Sequence, residues 1–169
     1  KIEMAAGGTL YFDQILDLSP ALQAKLLRVV EERSFERLGG TRTLEIDVRF
    51  VASSNDDLAQ AVREGRFRED LYHRLNVVSL RLPPLRERRE DVLPLALAFL
   101  AREREAGVTR ASGLASQTAE LLRGYSWPGN VRELRAVVER AALLAAEGLV
   151  PPQALPSQLL EQPSTLWVG

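Results

Sequence analysis

The residues best placed to do chemistry begin at Asp13-Gln14, directly after the run Gly7-Gly8-Thr9-Leu10-Tyr11-Phe12. A short run of large apolar side chains after two glycines reads as a strand buried on both faces, as in a parallel sheet covered by helices. In open parallel sheets ligands bind beyond the carboxyl ends of the strands, so a carboxylate there can meet a metal-bound phosphate. The alternative is a solvated Asp that only starts a turn. A carboxylate at position 14 could accept a proton from water, whereas the amide of Gln14 can only orient it. Further along, Ser53-Ser54-Asn55 ends a second β-rich run, and Arg68 and Arg74 flank an acidic segment. A guanidinium is always charged and its planar donors match phosphate oxygens, although pairing with Glu69 or Asp70 would explain such arginines equally well.

These segments together resemble the AAA+ domain of bacterial enhancer-binding proteins (NtrC-like), the activators of RNA polymerase carrying sigma-54. Gly7 to Ile15 is similar to their Walker B segment, and Val48 to Asn55 to their sensor I strand. Arg66 to Leu75 is similar to their arginine-finger stretch, and Trp127-Pro128-Gly129-Asn130-Val131-Arg132-Glu133-Leu134 to their sensor II motif. The resemblance runs from Lys1 to about Glu161. It implies that Asp13 helps hold Mg²⁺ beside ATP, that residue 14 polarises the attacking water, and that Asn55 lies near the γ-phosphate. It further implies that Arg68 and Arg74 reach nucleotide on a neighbouring subunit, with Arg74 the better finger, and that Arg132 reaches nucleotide in its own subunit. On a single helix, Arg68 and Arg74 would lie about 240° apart, so both could not face one phosphate.

The sequence departs from the family where Asp-Glu is usual and Asp13-Gln14 stands, and Ser54 replaces the usual Thr. Glutamine orients water in some GTPases, so the expectation is ATP binding with slow hydrolysis. No G-x-x-x-x-G-K-[ST] loop occurs, and the only lysines are Lys1 and Lys25. The expectation is therefore a fragment lacking Walker A and the GAFTGA loop that contacts sigma-54, which leaves its standing as an enzyme open.

The elements that must position these groups read as α/β: the later part of an AAA+ P-loop NTPase core, a parallel sheet with helices, followed by a small helical lid. The expected domains are 1–85 for the partial core, 86–148 for the lid and 149–169 for a linker towards a missing helix-turn-helix domain. Ser19-Pro20 starts a helix in which Leu22, Leu26, Leu27 and Val30 recur. Residues 35–42 read as a hairpin turning at Gly39-Gly40, which the family places near the ring pore. Residues 44–53 read as one long central strand, Asp56 or Asp57 as a helix cap, and 77–82 as a last strand closed by Pro83-Pro84. Arg86 and Arg88 could approach nucleotide or pair with Glu87, Glu90 and Asp91. A helix is expected over 92–105, a loop over 108–113, a helix capped by Ser116, and a last long helix capped by Asn130 and ended by Gly148. Leu155-Pro156 and Leu159-Leu160 could pack back on the lid. His73, the only histidine, reads as a surface or interface residue.

Composition narrows the class. The 169 residues are 46% apolar, enough for a sizeable core, and 22 basic against 23 acidic side chains leave no nucleic-acid-binding excess. No cysteines means no disulfides and no thiolate zinc site. No internal repeat and no stretch long enough to span a membrane occurs, and the expectation is a cytoplasmic protein with no signal peptide. The resemblance implies a hexameric ring with ATP and Mg²⁺ at subunit interfaces, remodelling the closed complex of the sigma-54 RNA polymerase holoenzyme. DNA would be met only through the missing C-terminal domain. A different class stays open: a non-catalytic relative that keeps the fold as a regulatory or scaffold protein. Another AAA+ branch is disfavoured by the Trp127 to Leu134 motif.

Overall fold

In the computed structural model, which describes residues 1–37, 42–145 and 147–161, the chain divides into two units, Lys1–Leu80 and Arg81–Gly169. The expected turn at Gly39-Gly40 and the residues after Glu161 lie outside the described residues.

The first unit is built on β1 (Thr9–Phe12), followed by α1 (Pro20–Glu32), the hairpin strands β2 (Ser34–Glu36) and β3 (Thr43–Glu45), and β4 (Arg49–Ala52). Two short helices complete it, α2 (Leu58–Arg63) and α3 (Glu69–Leu75). β1 and β4 pair in parallel, Thr9 with Arg49 through Phe12 with Ala52, so both strands end at the same level. Ser19 caps α1 by accepting from the Leu22 N–H, and the Asp57 side chain caps α2 by accepting from the Gln60 N–H at 3.1 Å. Below the strand ends, Ile15, Leu26, Ala61, Phe67 and Leu71 form one buried cluster, and Val29, Ile46 and Val48 form another.

Three strand expectations need correction. β1 is not buried on both faces: Tyr11 is 56% exposed, while Leu10 and Phe12 on the other side are half-buried. Among the described residues, Leu10 and Phe12 pack against buried clusters, while Tyr11 on the other face does not. Residues 44–53 are not one strand, because the chain leaves the hairpin after Glu45 and turns Ile46 and Val48 into the core before β4 begins. Residues 77–82 form no strand: Val77, Val78, Leu80 and Leu82 are each about four-fifths exposed. Their apolar pattern suits a ladder, but a ladder needs a paired neighbour, and none lies beside them among the described residues.

The second unit packs α4 (Val92–Glu105), α5 (Ser116–Gly124) and α6 (Asn130–Leu144) around a core that includes Leu100, Leu122, Trp127, Leu134 and Val138. Pro94 sits in the first turn of α4, where its missing N–H costs no helical bond. The expected loop at 108–113 is instead largely β5 (Arg110–Leu114), paired in parallel with β6 (Glu147–Val150). α6 therefore stops at Leu144, and Gly148 lies within β6 at φ 73°. The expected linker also carries structure, with α7 (Ser157–Leu160) following β6. Val150, Ala154, Leu155 and Leu159 are buried in this unit's core, so Leu155 and Leu159 pack back on the lid as expected while Leu160 stays 43% exposed.

Candidate functional site

The level ends of β1 and β4 bring three sequence-selected residues together. Chain direction and register place Asp13 and Gln14 directly after Phe12, and Ser53, Ser54 and Asn55 directly after Ala52. The Ser53 N–H donates to Phe12 O at 2.8 Å and Ser53 O accepts from the Ile15 N–H at 2.9 Å, which ties the tips together. Gln14 adopts a left-handed conformation, φ 55° and ψ 61°, one that residues with a side chain normally avoid. Its Oε1 accepts from the Asn55 N–H at 3.3 Å, so the two candidate residues meet directly. Asp13 is exposed, and its Oδ1 accepts from the Ser53 hydroxyl at 2.7 Å and the Tyr11 hydroxyl at 3.2 Å. Ser54 makes a local turn, accepting from the Asp56 N–H and donating to Asp56 O. The groups gathered here are hard carboxylate and amide oxygens, the donor type that Mg²⁺ accepts, on the side of a parallel pair where phosphates bind.

The two finger candidates do not share one helix. Arg68 is the residue before α3, with extended backbone at φ −71° and ψ 132°, so the separation expected from helical spacing does not apply. Its guanidinium grips Asp70 through Nε at 3.0 Å and Nη2 at 2.7 Å, and the hydrogen bond from Arg68 holds the Asp70 carboxyl below its usual range. Arg74, in the last turn of α3, donates to Glu31 of α1 at 2.9 Å. His73 is exposed, lies 3.9 Å from Glu69 and stands edge-on to Tyr72. No group of metal-binding side chains of the His/Cys/Asp/Glu type forms among the described residues.

A polar residue that the apolar pattern alone passes over fixes where Arg68 starts. Gln23 on α1 is 2% exposed and donates from Nε2 to Leu18 O at 2.9 Å and Arg66 O at 3.1 Å. Its Oε1 accepts from the Arg68 N–H at 3.0 Å, so one buried amide holds the approach to α3. The available signal was its spacing: Gln23 stands three, four and seven positions before Leu26, Leu27 and Val30, on the face the helix buries, whereas Leu22 is 50% exposed.

In the second unit, Arg132 is exposed in the first turn of α6 and forms no ion pair among the described residues. Glu133 reaches instead to the turn before the helix, its Oε2 accepting from the Gly129 N–H at 2.8 Å. The turn before α6 is held tightly: Trp127 is fully buried at φ 49° and donates from Nε1 to Leu122 O at 2.9 Å. Asn130 does not act as the expected cap. Gly129 holds the cap position, and the Asn130 Oδ1 accepts from the Leu85 N–H at 2.8 Å. Arg86 lies 3.7 Å from Glu87 and Arg88 3.8 Å from Asp91, while the buried Arg88 Nε lacks a hydrogen-bond partner among the described residues.

Residues 1–81 match the family described as Sigma-54 interaction domain, and residues 86–166 the AAA+ ATPase lid domain. Over 159 residues the chain is 47% identical to the transcriptional regulatory protein ZraR of Klebsiella oxytoca, which covers 94% of this chain and 36% of that protein. It is 47% identical over 160 residues to the nitrogen fixation protein VnfA of Azotobacter vinelandii, covering 94% of this chain and 30% of that protein. The chain thus spans about a third of the length of these relatives. The crystal structure of NtrX from Brucella abortus in complex with ATP is similar at a TM-score of 0.86 and 37% identity, over 99% of this chain and 40% of that one. With one half matched by the sigma-54 interaction domain and the other by the AAA+ lid, the chain belongs to the AAA+ family of sigma-54-dependent transcriptional activators.

Proposed function

We propose that this chain is the later part of an ATP-driven ring module, most simply a hexamer, that remodels the closed complex of the sigma-54 RNA polymerase holoenzyme in the cytoplasm. The observation that carries this reading is the meeting of Asp13, Gln14 and Asn55 at the carboxyl ends of two parallel strands. Bound there, Mg²⁺ would offset phosphate charge. Asp13 would hold the metal through its carboxylate, directly or through water, and Asn55 would present its amide to the terminal phosphate or the attacking water. Arg132 would sense nucleotide in its own protomer, while Arg74, supported by Arg68, would serve the adjoining one after giving up Glu31. The domain division 1–85, 86–148 and 149–169 belongs to the same proposal. Sigma-54 would be met through a segment upstream of Lys1 and DNA through one downstream of Gly169.

Gln14 gives the module slow turnover. A neutral amide cannot take the water's proton, and its Oε1 already accepts from Asn55. In the intact protein, Gln14→Glu should raise ATP hydrolysis by about 100-fold, within the range for an added general base. Hydrolysis no faster than the parent's, measured by phosphate release, would overturn this account of Gln14. The same residue favours a second reading, a non-catalytic regulator that keeps the fold. Coding sequence ahead of Lys1 carrying both G-x-x-x-x-G-K-[ST] and GAFTGA supports the activator, and its absence supports the regulator.

A further inference from the structure

Ser53 makes two contacts that its backbone role does not require. Its hydroxyl donates to Asp13 Oδ1 at 2.7 Å and accepts from the Gln14 backbone N–H at 3.2 Å. One oxygen therefore touches both residues at the tip of β1. Ladder bonds on either side, to Phe12 O and from the Ile15 N–H, fix where that oxygen can be. The residue it supports is also the strained one, since Gln14 stands at φ 55°. From that conformation the Gln14 amide reaches back across the strand ends and accepts from Asn55.

We infer that Ser53 is a positioning residue of the nucleotide site: its hydroxyl orients the Asp13 carboxylate and holds Gln14 in its left-handed turn, so that the Gln14 amide meets Asn55. This rests on the reading that Asp13 and Gln14 face a magnesium nucleotide. An alanine at 53 would keep both ladder bonds and lose both hydroxyl contacts. A threonine keeps the hydroxyl and suits a strand end.

The test uses the intact protein with Ser53→Ala, Ser53→Thr and Asp13→Asn. Two quantities are read: the Mg²⁺-dependent affinity for a fluorescent ATP analogue, and the ¹⁵N–¹H resonance of the Gln14 amide in selectively labelled protein. Ser53→Ala should weaken the Mg²⁺-dependent affinity about three- to tenfold, the loss of one charge-assisted hydrogen bond at a part-exposed site. It should also move the Gln14 amide resonance upfield, and Ser53→Thr should restore both. If the alanine variant does not fold, Ser53→Cys, a weaker donor, should fall between serine and the expected loss. Parent-like affinity and resonance in the alanine or cysteine variant overturns the inference, as does failure of threonine to restore either. Asp13→Asn separates the two levels. Unchanged Mg²⁺ dependence in that variant removes the nucleotide reading, whereas a normal loss there beside a silent Ser53→Ala removes only the role of Ser53.

Discussion

Replacing Gln23 by leucine tests whether one buried amide sets the entrance to α3. The leucine is close in volume but offers neither donor nor acceptor, so Leu18 O and Arg66 O lose a donor and the Arg68 N–H loses its acceptor. A hydrogen bond contributes about 1 kcal/mol net, and a buried group left unpaired costs about 1–3 kcal/mol. With Gln23 only 2% exposed, water cannot take over all three positions without opening the packing of α1. The leucine side chain recovers part of this through apolar burial, so the net loss should be about 3 kcal/mol. Urea unfolding followed by a probe in the first unit gives the number, with an unchanged denaturant slope as the sign that only stability moved. A loss below about 1 kcal/mol would refute the reasoning, since it would mean the three backbone groups find partners without the amide.

The Asp70 carboxyl titrates below the usual aspartate range because Arg68 hydrogen-bonds its charged form. The contact is therefore complete above the unfolded value and is lost as pH falls through the lowered folded one. A ¹³C titration of the Asp70 carboxyl should place its midpoint below that of an aspartate in an unstructured peptide, and Arg68→Ala should return it upward. Gly129→Ala should destabilise the second unit by about 1–3 kcal/mol in thermal unfolding, because a Cβ there would lie 2.7 Å from the Glu133 Cβ, which cannot swing aside.

Residues whose role is local were legible before any fold was known. Ser19 and Pro20 announce a helix start, Asp56 or Asp57 another that Asp57 proves to cap, and the strand leading to Asp13 is visible from its apolar run. Asn55 was legible only as part of a longer pattern, because an asparagine after a strand most often just forms a turn. What escaped depends on partners far along the chain. β5, with small residues Ala111 to Gly113 at its centre, becomes a strand because β6, beyond two helices, lies beside it. Ser53 looks like half of a Ser-Ser turn until the register sets its hydroxyl against Asp13. Residues 77–82 erred in the opposite direction, since periodicity records a capacity to pair and says nothing about whether a neighbour is present.

That stretch governs how the chain behaves in the test tube. From Val77 to Leu82 it carries exposed β-branched and leucine side chains, one charge and no proline, which is the composition that stacks between molecules. Concentrating this segment by itself should drive self-association that rises with salt as the lone Arg81 is screened, and a lysine in place of Leu80 should keep it in solution.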